Sequence, residues 1–222
     1  MKNITLITSV IDTPNIPLSY INSRTIFNKE QRFEQTKKTI SSIRDKIIDS
    51  KIFLVECSEL TDSERSYFIE NVDYFFNIYD TQNKELISRM FTRSKSMGEG
   101  TMTIIALNYL IDNSIEFDNF FKISGRYWLN DNFNYDLYNN QLSCIHKIHN
   151  DNDNAFTCFY KLSKQDTSYW LNFLLNSVDD FVKCIGFEFI FANFLKNHSF
   201  FTIENKVGIH GYVSVCGTFI DL

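Results

Sequence analysis

The sequence predicts an α/β fold, a mixed and mostly parallel central sheet flanked by helices. Three observations predict it. Strand-length apolar runs alternate with stretches whose apolar residues recur at helical spacing. Parallel strands need crossovers of about a dozen residues or more, and helix-length segments separate these runs. The runs are also aromatic and β-branched with few charges, as buried strands are.

At 222 residues and 44% hydrophobic content the chain supports one large core. With 22 Phe and 11 Tyr that core is bulky. A net charge of -5 argues against a nucleic-acid binder, whose footprint is usually basic. Cys57, Cys144, Cys158, Cys184 and Cys216 are scattered, odd in number and without a CxxC pair. Neither a zinc knuckle nor a disulfide framework is signalled, and reduced thiols are the simplest reading. No apolar run approaches the ~20 residues of a membrane span, and the N-terminus lacks a signal-peptide cleavage site. A soluble cytoplasmic protein is expected.

Ile4 to Val10 reads as a central strand. The loop from Ile11 to Asn28 holds both prolines, Pro14 and Pro17. A loop that long in a compact domain is usually functional or disordered. Its Arg24 either faces a ligand at the end of the first strand or is a solvated surface residue. Phe33, Ile40, Ile43 and Ile47 mark a helix over about 29–48. Lys51 to Ser58 is a second buried strand whose end carries Glu56, placed where a carboxylate meets a ribose hydroxyl or base edge in dinucleotide folds. No GxGxxG follows the first strand, so a dinucleotide cofactor site is not expected.

Thr61 caps a short helix through about Glu70, and Tyr74 to Tyr79 is a third strand. A polar region, 80–97, has room for one short helix. Lys95-Ser96-Met97-Gly98-Glu99-Gly100-Thr101 then leads into a helix with Met102, Ile105, Ala106, Tyr109 and Leu110 on its buried face. Two of only 7 glycines at this helix start suggest an anion site, although GxxxxGK[ST] is missing; a flexible loop is the alternative.

The stretch Phe120 to Leu129 opens as a fourth buried strand, breaks at Gly125 and sets Arg126 at the strand end. Ligands of α/β sheets sit at the carboxyl ends of the strands, and a guanidinium there grips a phosphate with two parallel hydrogen bonds. A bulge with an ordinary surface arginine is the competing reading.

Beyond Asn130-Asp131-Asn132 the expected elements are strands at 143–148 and 155–162, a helix at 167–184 and a nearly all-apolar helix at 186–195. His146 and His149 flank the first of these strands without a third ligand nearby. Glu188 stands in the middle of the apolar helix, where an unpaired carboxylate is costly unless it is functional. Desolvation would push its pKa upward and suit a general base; a solvent-facing or structurally paired Glu is the alternative. Val207 to Gly217 is a strand pair carrying His210, read either as structural or as closing over the site.

Taken together, Leu6-Ile7-Thr8-Ser9-Val10, Arg32-Phe33 with Gln35-Thr36, Val55-Glu56-Cys57-Ser58 and Lys122-Ile123-Ser124-Gly125-Arg126-Tyr127 resemble small GT-A-type (Rossmann-like) nucleotide-sugar glycosyltransferases. The N-terminal glycosyltransferase domain of large chlorella viruses is the nearest likeness. It covers most of the chain and is weakest in the C-terminal third; the Asn- and Ile-rich composition suits an AT-rich viral or bacterial genome. The resemblance implies one domain, with a nucleotide-sugar-binding half over 1–130 and an acceptor-side half over 131–222. It implies a hexosyl- or deoxyhexosyltransferase with a nucleotide-sugar donor, most simply a UDP-sugar, and a glycan or other hydroxyl acceptor. Thr8, Ser9 and Arg24 would line the nucleotide, and Glu56 would meet the base or ribose. Lys95, Gly98 and Glu99 would lie by the diphosphate or sugar, and Ser124, Gly125 and Arg126 fall where the family carries its Asp-x-Asp metal motif. Glu188 would be the base of an inverting transfer, with retention the alternative outcome, and Arg126 its catalytic cation.

That Asp-x-Asp is missing. The diphosphate charge must still be neutralised, by Mn²⁺ or Mg²⁺ or by fixed cations. Two options stand: Arg126 with Lys95 acts without metal, or Asp131 and His210 hold one, as family habit favours. A nucleotidyltransferase would show a glycine-rich, lysine-containing loop after the first strand, which is lacking here. A non-catalytic nucleotide-sugar or glycan-binding module would tolerate the missing Asp-x-Asp.

Overall fold

The computed structural model describes residues 1–145, 155–203 and 206–222. The first half builds β1 (Asn3–Ser9), α1 (Lys29–Lys46), β2 (Ser50–Glu56), α2 (Asp62–Asn71), β3 (Tyr74–Asn77), α3 (Lys84–Met90), α4 (Lys95–Asp112), β4 (Asn119–Ser124) and β5 (Tyr127–Leu129). The second half adds β6 (Ser143–Ile145), β7 (Phe159–Ser163), α5 (Lys164–Asn176), α6 (Val178–Val182), α7 (Phe187–Leu195), β8 (Phe200–Thr202), β9 (Ile209–Tyr212) and β10 (Phe219–Asp221).

Among the described residues, seven strands form the central sheet in the order β3-β2-β1-β4-β7-β6-β8. The β3-β2-β1-β4 block is parallel, β7 runs antiparallel to both neighbours, and β6 pairs parallel with β8. This is the expected mixed, mostly parallel, Rossmann-like α/β fold. The chain steps outward from β1 to β3 and then returns to the other side of β1 with β4. That reversal is a topological switch point, where the crevice outside the strand ends receives ligands.

Strand alternation divides the core into two layers. Ile4, Leu6, Phe53, Val55 and Phe120 join the cluster that contains α4, α5 and α7 residues. Ile7, Ile52, Leu54, Phe121 and Ile123 join the cluster containing Ile40 and Ile43 of α1. A second, antiparallel sheet, β10-β9-β5, packs on α1. Thr39 of α1 donates to the Tyr127 carbonyl (2.6 Å), and Leu129 N–H donates to Ser42 Oγ (3.0 Å).

Several boundaries differ from the sequence reading. Helix α4 begins at Lys95, capped by Ser94, so Gly98 and Gly100 lie inside it and not in a loop before it. Both are small for packing: a Cβ on Gly100 would sit 2.5 Å from the Phe181 ring, and one on Gly98 3.1 Å from the Met90 carbonyl. The expected helix over 167–184 is two helices. Ser177 ends α5 with its hydroxyl bonded to the Phe173 carbonyl and starts α6, whose first turn holds Asp179 and Asp180. The Gly125-Arg126 break does not bulge one strand but passes the chain from the central sheet into the second one. Strand β7 begins four residues later than expected, at Phe159, and β8 and β10 were too short to read from periodicity. Strand β6 covers 143–145; His146, His149 and the rest of that expected strand lie outside the described residues. Among the described residues, no helix is long and apolar enough to cross a membrane.

Candidate functional site

A cleft of about 880 Å³, counting its open mouth, lies at the carboxyl ends of β1 and β4. Strand β1 contributes Thr8 and Ser9, the loop after it Arg24, α4 Lys95, Gly98 and Glu99, and β4 with its turn Ser124 and Arg126. These eight of the ten residues expected around a nucleotide-sugar come together. The alternation of β1 and β4 ends there because Thr8 pairs with Ser124 across the sheet, leaving small hydroxyls at the crevice.

The sequence reading missed Arg32, Tyr20 and the segment Val213-Ser214-Val215, which also line the cleft. Arg32 was detectable: it lies four and eight residues before Thr36 and Ile40, on the buried face of α1. Buried guanidiniums need partners. Its Nε donates to the Val10 carbonyl (2.6 Å) and Nη1 to Ser214 Oγ (3.1 Å) and Thr25 Oγ1 (3.4 Å). Nothing local marked Val213–Val215, which reaches the site through the pairing of β9 with β5.

Among the described residues the lining carries four cations, Arg24, Arg32, Lys95 and Arg126, against one carboxylate, Glu99. In a chain of net charge -5 this is a local inversion of sign. Burial pushes the Arg32 guanidinium down to about 9, with neighbouring Arg126 adding to the shift and Glu56 opposing it. Arg24 is also lowered by burial, opposed by Tyr20. Its Nε donates to the Ile16 carbonyl (2.9 Å), but among the described residues its buried Nη2 has no partner. Arg126 Nε is likewise buried and unpartnered. Among the described residues, two buried guanidinium N–H groups therefore lack an acceptor, a costly state.

Glu99 is already engaged. Lys122, wholly buried on β4, extends under α4 and forms an ion pair with the Glu99 carboxylate. The same ammonium donates to Ser124 Oγ (2.9 Å) and the Thr157 carbonyl (2.8 Å). Burial pushes the Glu99 carboxyl up, but Lys122, Lys95 and Arg126 outweigh it and hold the pKa below the ordinary value.

A second cavity adjoins the first. It shares Tyr20, Lys95 and Glu99 with the cleft and adds Ser96, Phe187 and Glu188 among its walls. Glu188 is half-buried near the start of α7 and accepts a hydrogen bond from Thr157 Oγ1 (3.3 Å). It therefore faces a cavity beside the cleft and is not a sealed core group.

Four expected site residues sit elsewhere. Glu56 is completely buried behind the cleft and does not line it. Its Oε1 accepts from Ile11 N–H (3.1 Å), Cys57 N–H (2.9 Å) and Ser58 Oγ (2.6 Å), so it ties down the loops after β1 and β2. Gly125 is a packing residue: its N–H donates to the Thr8 carbonyl (2.9 Å), and a Cβ would sit 3.0 Å from Thr36 Oγ1. Asp131 is fully exposed and ion-paired with Lys46 (2.9 Å). His210 lies in β9, 3.2 Å from Asp221.

The donor set does not fit a divalent cation. Asp131 and His210 are outside the cleft lining, and Glu99 is taken by Lys122. Among the described residues, no group of three or more His, Cys, Asp and Glu is arranged to hold a metal. No protein-family model matches the sequence, and no match was found among curated proteins.

Proposed function

We propose that the chain is a glycosyltransferase that moves a sugar from a nucleotide-sugar donor, in the first instance a UDP-sugar, to a glycan or other hydroxyl acceptor. The observation that carries this reading is the cationic cleft at the β1/β4 switch point, lined by Arg24, Arg32, Lys95 and Arg126. A nucleoside diphosphate is the anion class that such α/β crevices receive. The resemblance of the β1, β2 and β4 segments to GT-A-type enzymes agrees with this placement of charge.

In the reaction, an acceptor hydroxyl in the second cavity attacks the anomeric carbon of the donor sugar. Glu188 takes the hydroxyl proton as the new C–O bond forms. The bond from the anomeric carbon to the diphosphate oxygen breaks, and its electron pair leaves with the diphosphate. Arg24, Arg32 and Arg126 stabilise the charge that develops there. Attack from the side opposite the leaving group gives inversion. Glu99, pinned by Lys122 and held below the ordinary carboxylate pKa, is a poor proton acceptor and suits a hydrogen bond to a sugar hydroxyl. The chain is read as one catalytic unit needing no nucleic acid.

A thermal-shift panel of UDP, GDP and CMP with their sugar conjugates tests the reading, since a ligand binding only the native state raises Tm by mass action. A rise with one nucleotide class, followed by transfer of its sugar, is expected. No rise with any of them on folded protein would overturn it.

A further inference from the structure

We infer that the cleft is a metal-independent diphosphate site in which Arg24, Arg32 and Arg126 take the place of a divalent cation. The inference deepens the donor reading above and rests on it for the nucleotide, while the anion site itself stands on the charge geometry.

A nucleotide diphosphate needs about two positive charges fixed against its oxygens, supplied by a metal held on carboxylates or by protein cations. Of the carboxylates nearby, Glu99 is neutralised by Lys122, Glu56 is buried behind the wall with its Oε1 held by backbone and hydroxyl donors, and Glu188 opens into the adjoining cavity and not the cleft. The cations, by contrast, are in surplus and differ in how they are held. Arg32 is only 6% exposed and anchored at three points, so its position is fixed before any ligand arrives. Arg24 and Arg126 each keep one buried N–H without an acceptor. Planar guanidiniums match phosphate oxygens with paired hydrogen bonds that an ammonium lacks. Without an anion these like charges repel, and a dianion among them converts that repulsion into attraction.

The probe is inorganic pyrophosphate, titrated calorimetrically into the whole chain in EDTA, with nucleoside diphosphates run in parallel. Binding in EDTA is expected. Arg24→Met and Arg126→Met should each weaken it about tenfold or more, with Arg126→Lys recovering only part. Both variants should keep the unliganded Tm or raise it, because each removes a like charge. Arg32 is left intact, since its anchoring role would confound folding with binding. Binding that appears only when Mn²⁺ is added would overturn the inference, as would binding in EDTA that both Met variants leave unchanged, or no binding at all. Pyrophosphate binding in EDTA without any nucleotide binding would uphold the inference and remove the donor reading. Nucleotide binding that requires Mn²⁺ would do the reverse.

Discussion

Lys122, a β4 residue with no solvent exposure, is ion-paired with Glu99, which projects from the second turn of α4. The pair joins the sheet to the helix directly beneath the cleft. Lys122 lies on the same sheet face as the core residue Phe120 and, across the ladders, beside Leu6 and Tyr160. Its charge is tolerable there only because Glu99, Ser124 and the Thr157 carbonyl satisfy it.

Glu99→Gln should therefore cost about 3–5 kcal/mol, because it strands a buried ammonium. The sign of its pH dependence follows from the lowered pKa of Glu99. The stabilisation is complete above the unfolded value near 4.5 and declines as pH falls through the lower native value. Urea unfolding from pH 7 to 3 should show the wild-type midpoint falling more steeply than that of Glu99→Gln. Parallel curves would remove this role for the pair.

Glu188→Gln keeps the shape of the side chain and loses the proton acceptor. Transfer should fall by about two to four orders of magnitude while donor affinity stays within about twofold. Single-turnover assays beside donor titrations separate the two effects. Unchanged turnover would mean that another group accepts the proton.

Gly211 of β9 lies where a Cβ would meet the Tyr127 ring at 2.2 Å and the Arg126 carbonyl at 2.8 Å. Gly211→Ala should push β9 off β5, costing about 1–3 kcal/mol through overpacking. Because Val213–Val215 follows β9 into the cleft wall, nucleotide affinity should drop with Tm. Lower stability with undiminished affinity would show that the second sheet does not position the site.

Trp170 of α5 is fully buried, with its ring 4.8 Å from Phe194 and 5.0 Å from Phe191 of α7, and its Nε1 donates to Tyr160 Oη (3.2 Å). Trp170→Ala should cost about 3–5 kcal/mol. Trp170→Phe should cost less and leave Glu188 in place, so turnover per folded molecule should persist. A small loss for the Ala variant would mean that the aromatic layer repacks around the void.

The elements were legible in the sequence where the physics is local. The near-continuous apolar runs of β1, β2 and β4 and the 3.6-residue periods of α1 and α4 follow from which side chains must leave water, and that pattern is present in the chain itself. The mostly parallel direction of the strands followed from the same pattern, since helix-length crossovers join parallel strands, but their order in the sheet did not. Arg126 was a candidate because a parallel sheet presents its carboxyl ends to ligand, whereas Thr8, Ser9 and Ser124 were candidates only through the family resemblance. What the sequence could not determine was which charges meet. Glu56 and Glu188 look alike as carboxylates at apolar boundaries, yet one is sealed by three hydrogen-bond donors and the other faces a cavity. Lys122 and Glu99 are 23 residues apart, and Arg32 and Ser214 are 182 apart. Hydrophobic patterning depends on one residue and its near neighbours. The worth of a charge depends on partners and burial supplied by distant segments, so only the folded chain decided which arginines remain available to an anion.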